Sequence, residues 1–265
     1  MMPHKTLRAC LGLSFFVVSA GCAHRSGHAV QDAAALALAR SDVAWDARDA
    51  DGFAPVLAAL SDAELAGADP VAHGWRYARA QTAWGLSVAD DTEAMQHFAL
   101  ARSVSLRCLD GVEAFRVARQ RDDWEGATSE LPDARTPCLS WATWSWVRWL
   151  DRAGADGAAI DHQAVGTLAA HMPLSHDSAG GLANEWVLGL VDTLDSARIE
   201  SAQKHLESAQ RTHPEELWIQ LDLAAINRSS PLRTEQREEL LNALKNADPR
   251  TPEDREAARR AANER

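Results

Sequence analysis

The spacing of small and large residues around residue 202 constrains the fold of this chain more than any other feature. Ala202, Leu206, Ala209 and Pro214 stand at relative positions 0, 4, 7 and 12. On a helix, the two small residues let a neighbouring helix approach closely, and the large residue fills the space between them. Trp186 lies 16 residues before Ala202, one helix earlier in such an arrangement. The pattern therefore predicts a tightly packed helical hairpin.

The same pattern occurs a second time in a weaker form. Its residues are Ala78, Thr82 and Gly85, followed by Ala94, Phe98 and Ala101. Both copies are similar to a degenerate tetratricopeptide repeat, although Gly189 and Leu190 occupy one contact pair in swapped order. The copies are 108 residues apart, which is not a multiple of the usual 34 residues. We predict an irregular solenoid or bundle of antiparallel helical hairpins and keep an unrelated helical bundle as the alternative.

The composition favours an all-α fold. The chain has 51 alanines but only four isoleucines and one tyrosine, so helix formers are abundant and strand formers are scarce. Helix-start signals and proline positions predict about ten helices, and 119–136 is the longest segment predicted to be irregular. The predicted helices cover about 30–49, 53–66, 70–86, 90–117, 138–152, 160–171, 182–193, 196–211, 215–227, 234–246 and 252–264.

The first residues are typical of a cleaved bacterial lipoprotein signal. Lys5 and Arg8 precede an apolar stretch of about 12 residues, which is too short to cross a membrane. The stretch ends at Ser19-Ala20-Gly21-Cys22, which resembles a lipobox with Ser19 in place of the usual Leu or Val. We predict a signal peptide over 1–21, lipid attachment at Cys22, a tether over 22–30 and one helical-repeat domain over 31–265. An ordinary signal peptide with an incidental cysteine is the alternative.

The charge of the chain excludes two classes of partner. Its formal net charge is −11, and removal of residues 1–21, with their two basic residues, leaves −13. Nucleic-acid binding depends mainly on phosphate neutralisation by Lys and Arg, so no nucleic-acid partner is expected. An acidic body should not adhere broadly to anionic lipid either. We expect the lipid anchor alone to hold the protein at a membrane.

Two cysteines remain after Cys10 is removed and Cys22 is lipidated. Cys108 and Cys138 would then lie in an oxidising compartment, where disulfides persist. The sequence leaves two alternatives open, a disulfide between them or two small buried thiols, because the distance that decides is not readable from sequence.

The sequence offers no recognisable catalytic, cofactor or metal motif. It contains no Gly-x-Ser-x-Gly, phosphate loop, Gly-x-Gly-x-x-Gly, His-Glu-x-x-His or Cys-x-x-Cys. We therefore predict that the protein is not an enzyme and holds no cofactor or metal.

A Trp-rich helix is the one sequence feature that indicates a possible binding site. Trp141, Trp144, Trp146 and Trp149 lie within nine residues. At 100° per residue, Trp144 falls on the polar side, one turn before Arg148, where a cation–π contact is expected. Such a helix is either buried on two sides or lines a groove. In the groove interpretation, the candidate ligand residues are Trp141, Trp144, Arg148 and Trp186.

These features together resemble the T component of TRAP transporters, a family of periplasmic lipoproteins with degenerate tetratricopeptide repeats. Four segments carry the resemblance, which is best over 137–262. They are the signal ending at Cys22; Pro137-Cys138-Leu139-Ser140-Trp141 followed by Trp146, with Ser140 in place of the family's Tyr; Gly180-Gly181 before Leu188-Gly189, Ala197, Ala202, Leu206 and Ala209; and Leu240-Leu241 before Ala247-Asp248-Pro249 and a helix from Pro252.

The resemblance implies a non-enzymatic accessory of a TRAP-type transport system. Such a protein would bind the periplasmic solute-binding protein, assemble as a homo-oligomer and pass on a small organic acid. A general helical-repeat scaffold for envelope or outer-membrane assembly is the alternative. Ala23 lacks the Asp associated with retention in the inner membrane, which favours the periplasmic face of the outer membrane.

Overall fold

The protein is all α-helical throughout the part of the chain that the structure describes. The computed structural model describes residues 18–48, 52–153, 159–172, 184–228 and 233–264. These ranges contain thirteen α-helices and no strand. The helices are α1 Val18–Asp46, α2 Ala54–Leu65, α3 Pro70–Ser87, α4 Asp91–Leu109, α5 Glu113–Arg119, α6 Trp124–Ser129, α7 Thr136–Ala153, α8 Ala159–Ala170, α9 Asn184–Thr193, α10 Ile199–Thr212, α11 Leu217–Asn227, α12 Thr234–Lys245 and α13 Pro252–Asn263.

Short polar side chains begin several of these helices. The carboxylate of Asp69 accepts a hydrogen bond from the backbone N–H of Ala72, and Pro70 follows in the first turn of α3. Asp90 accepts in the same way at the start of α4. At α13, Thr251 and Asp254 cap each other's backbone N–H groups. These bonds satisfy donors that the first turn of a helix leaves free.

Neighbouring helices pair as hairpins. The pairs are α1 with α2, α3 with α4, α9 with α10, and α11 with α12, and α13 packs against both α12 and α3. Helix α7 contacts α3, α4, α8 and α9, so the Trp-rich helix lies inside the molecule. Because α13 meets α3, the C-terminal and N-terminal parts of the described chain close on each other.

The two predicted repeat copies are hairpins with close helix contacts. A Cβ atom added to Gly85 of α3 would lie 2.6 Å from a ring carbon of Phe98 in α4. One added to Gly189 of α9 would lie 2.7 Å from Cγ of Leu206 in α10. Phe98 and Leu206 are fully buried. The glycines therefore allow the approach that the spacing of the large residues predicts.

A disulfide joins the end of α4 to the beginning of α7. The Sγ atoms of Cys108 and Cys138 are 2.02 Å apart, and the Cα atoms are 6.2 Å apart. Of the two alternatives that the sequence leaves open, the structure has the bridge. Both cysteines are also buried, so the bridge is part of the core. It fixes α7 against α4 at the end where the Trp-rich segment starts.

The prediction of one helix over 90–117 is wrong. Helix α4 ends at Leu109, and α5 begins at Glu113 after a short turn. The carboxylate of Asp110 accepts two hydrogen bonds from the guanidinium of Arg119, at 2.9 and 2.5 Å, which holds α5 folded back beside the turn. The predicted irregular segment also contains a helix, α6, capped by Asp123.

Some predictions fall outside the described part of the chain. The described features do not include residues 1–17 of the predicted signal, the pair Gly180-Gly181 or the side chain of Cys22. The backbone of α1 runs from Val18 through the predicted tether. No described helix is both long enough and apolar enough to cross a membrane.

Candidate functional site

The predicted ligand residues of α7 are buried. Trp141, Trp144 and Arg148 keep only 3%, 5% and 1% of their surface exposed. The indoles of Trp141 and Trp144 lie 5.0 Å apart between ring centroids, and that of Trp144 lies 4.7 Å from Trp186 of α9. Of the two alternatives for this helix, burial on two sides therefore describes α7. The structure also brings Trp141, Trp144 and Trp186 together, as the groove interpretation requires.

Arg148 does not make the predicted contact with Trp144. Its two terminal nitrogens donate to the carboxylate of Asp222 in α11, at 2.8 and 2.6 Å. The guanidinium consequently lies against the rings of Trp186 and Trp218, 5.3 and 5.2 Å from their centroids. The reason is electrostatic, since a buried guanidinium needs a counter-charge more than it needs an aromatic face.

Asp222 also orients Trp186. The indole N–H of Trp186 donates to Oδ2 of Asp222 at 2.6 Å. One carboxylate thus holds both a cation and an indole from two other helices. A single acidic residue in the apolar sequence of α11 is a signal that could have predicted a buried partner, because a charge on such a helix is costly when unpaired.

A cavity of about 70 Å³ lies beside this cluster. Its walls include five indoles, contributed by Trp45, Trp141, Trp144, Trp186 and Trp218. The last of these is fixed by a hydrogen bond from its N–H to the backbone carbonyl of Glu253, at 2.9 Å. Five aromatic rings around one small space make this the candidate functional site.

The polar groups of the cavity come from three distant parts of the sequence. Arg48 follows α1, Glu216 precedes α11, and Glu253 lies in the first turn of α13. The guanidinium of Arg48 donates to Oε1 of Glu253 at 2.6 and 3.1 Å and lies 3.8 Å from the ring centroid of Trp45. These residues were missed by the sequence analysis, because nothing local marks a contact between residues 205 positions apart.

Glu216 has an unusual protonation equilibrium. Burial raises the pKa of its carboxyl group to about 7, and the negative charges of Asp254, Glu253 and Glu215 act in the same direction. Arg48 opposes this shift. Near neutral pH the cavity therefore contains a carboxyl group that is ionised in only part of the molecules.

Three polar atoms on the cavity residues have no hydrogen-bond partner among the described residues. They are Nε1 of Trp141, Nε1 of Trp144 and Oε2 of Glu253. Each buried donor or acceptor left without a partner costs about 1–3 kcal/mol. Nε1 of Trp146 is also buried and unpartnered, but Trp146 does not line this cavity. The residues that line the cavity thus carry two unpartnered donors and one unpartnered acceptor.

A second pocket of about 400 Å³ adjoins the cluster. Arg148, Asp222 and Trp218 line it together with further charged residues of α4, α7 and α13. Its charged groups form ion pairs, for example Arg152 with Asp91 at 2.6 Å, although Nε of Arg148 and Nε of Arg152 are buried without a partner among the described residues. The smaller cavity is the candidate site because five indoles line it.

Comparisons with known proteins assign no role to any residue of the site. No protein-family model matches the chain, and no curated protein matches it. Within the described ranges, no group of three or more His, Cys, Asp or Glu side chains is placed to hold a metal ion.

Proposed function

We propose that the protein is a periplasmic lipoprotein that serves a TRAP-type transport system as a non-enzymatic accessory. It binds the solute-binding protein and accommodates a small organic molecule among its Trp side chains. The observation that carries the proposal is the cavity itself. Trp141 belongs to one segment of the resemblance to the T component, and Trp186 lies within another, between Gly181 and Leu188. Both line the same space in a helical-hairpin fold.

The disulfide supports the proposed compartment. Disulfides persist in oxidising compartments such as the periplasm and are rare in the cytosol. The bridge between Cys108 and Cys138 fits a secreted protein, as the signal before Cys22 requires. The acidic net charge of −11 leaves lipid at Cys22 as the means of attachment.

The experiment is crosslinking followed by affinity purification of the full-length protein from membranes. We expect to recover a solute-binding protein of a TRAP transporter, identified by mass spectrometry. The Cys22→Ser variant is the control: it should lose incorporated fatty acid, leave the membrane fraction and give much less of the same crosslink, because anchoring concentrates the partners at one surface. Recovery of outer-membrane assembly proteins without any solute-binding protein would refute the proposal in favour of the scaffold function.

A further inference from the structure

The size of the Trp-lined cavity matches a small ligand. A single water molecule needs about 10–15 Å³ of space measured in this way, and the cavity offers about 70 Å³. The space therefore suits about five to seven non-hydrogen atoms. Glycine and alanine fall within this range.

We propose that the cavity binds a small zwitterionic amino acid of the size of glycine or alanine. This inference names the ligand class of the proposed function and depends on its ligand-binding part. Its carboxylate accepts hydrogen bonds from the indole N–H groups of Trp141 and Trp144, and its ammonium group donates to Glu253.

The two indoles supply the evidence for a carboxylate. Trp141 and Trp144 are at least nineteen-twentieths buried, and neither N–H has a partner in the described part of the protein. The indole N–H groups on α9 and α11 do have partners. Trp186 donates to Asp222, and Trp218 donates to a backbone carbonyl. The unpartnered donors are thus specific to the α7 side of the cavity, and an acceptor group of the ligand would satisfy them.

Glu253 supplies the evidence for an ammonium group. Its Oε1 accepts from Arg48, but its Oε2 is buried and unpartnered. A carboxylate oxygen in this position requires a donor. The ammonium group of an amino acid donates three hydrogen bonds and is attracted by the negative charge and by the surrounding indole faces.

The charge balance of the cavity excludes simpler ligands. Arg48 and Glu253 neutralise each other, and Glu216 adds a group that is neutral or negative. A carboxylate without a positive charge would be repelled by the two glutamates, and a simple amine would leave both indole N–H groups without an acceptor. A zwitterion satisfies both ends and leaves the net charge of the site unchanged.

Isothermal titration of the purified protein with glycine and L-alanine tests the proposal. Propionate and propylamine are the matched ligands, because each resembles alanine in size and lacks one of its charged groups. We expect alanine or glycine to bind at least roughly tenfold more tightly than either of them. Equal binding of all four compounds would show that the site does not select a zwitterion, and no heat with either amino acid at millimolar concentration would show that the cavity holds neither of them. Either result would overturn the inference.

Three single substitutions locate the binding. Trp141→Phe and Trp144→Phe keep an aromatic ring but remove the N–H, and each should weaken alanine binding by roughly tenfold. Trp146→Phe is the matched control, because it removes an equally buried and unpartnered N–H outside the cavity. Circular dichroism confirms that the variants fold, and an equal loss of binding in Trp146→Phe would count against the site. If no amino acid binds but the crosslink to the solute-binding protein persists, this inference fails and the proposed partner remains.

Discussion

Three glycine-to-alanine substitutions test whether the hairpins are packed as closely as the structure shows. Gly85 and Gly189 lie where two helices touch, whereas a Cβ atom added to Gly166 of α8 meets nothing within 4 Å. All three are inside helices, so alanine should favour the helix by about 1 kcal/mol in each case. Any difference between them therefore measures contact across the hairpin.

The magnitude follows from the distances. At Gly85, a new methyl group would meet three ring carbons of Phe98 at 2.6, 2.9 and 3.0 Å. Carbon atoms cannot approach this closely, so the ring of Phe98 would have to move. The ring is fully buried, and the packed core leaves it no open space to enter. Overpacking of a core costs about 1–3 kcal/mol. After the helix preference is subtracted, Gly85→Ala should destabilise the protein by up to about 2 kcal/mol, and Gly166→Ala should stabilise it by about 1 kcal/mol.

The assay is urea denaturation followed by circular dichroism. The midpoint should fall for Gly85→Ala and Gly189→Ala and rise for Gly166→Ala, with the slope unchanged. Combining Gly85→Ala with Phe98→Leu provides the internal check, because the smaller side chain should reduce the cost of the alanine by at least about 1 kcal/mol. If Gly85→Ala stabilises the protein as much as Gly166→Ala does, the hairpin packing described here is wrong.

Two further predictions concern charged groups. Asp222→Ala should lower the free energy of unfolding by about 3–5 kcal/mol, because it leaves the guanidinium of Arg148 buried without this partner. The control is Asp62→Ala, which breaks an exposed pair with Arg40 and should cost less than about 1 kcal/mol in the same denaturation assay. Burial raises the pKa of Glu216 from 4.5 to about 7, so the folded protein holds a proton that the unfolded chain releases, and stability falls as pH rises through this window. Glu216→Gln should flatten that slope and be more stable than the unsubstituted protein by about 2–3 kcal/mol above about pH 8, and an unchanged slope in denaturation at several pH values would contradict the raised pKa.

The helices and the hairpin contacts were predictable because their causes are local. Asp69 and Asp90 cap helices within three residues of themselves, and the pairs of small and large residues are repeated at fixed spacing. The end of α4 was missed although it also has a local signal, since Asp110-Gly111 follows Leu109 directly and Asp-Gly is typical of a turn. The ion pair between Asp110 and Arg119 is a further contact across that turn, and the sequence does not show it.

The candidate site was predictable only on the side formed by the Trp-rich helix. Periodicity placed Trp144 and Arg148 one turn apart but could not show which residue would satisfy the arginine. The partner of Arg148 is Asp222, 74 residues later, because pairing of a buried charge outweighs an aromatic contact. The opposite wall depends on Arg48 and Glu253, whose association is a property of the tertiary fold.

The origin of the cavity residues connects the site to the predicted anchor. The cavity lies where the end of α1 and Arg48 meet α3, α7, α9, α11 and the start of α13, so it requires the first and last parts of the described chain to be in place together. Trp45 lies on the same helix as Cys22, and Arg48 follows that helix directly. A ligand in the cavity would stabilise this closure, since binding to the folded state shifts the equilibrium towards it. Attachment of lipid at Cys22 would then place the helix that helps to close the site beside the membrane, where the proposed partner acts.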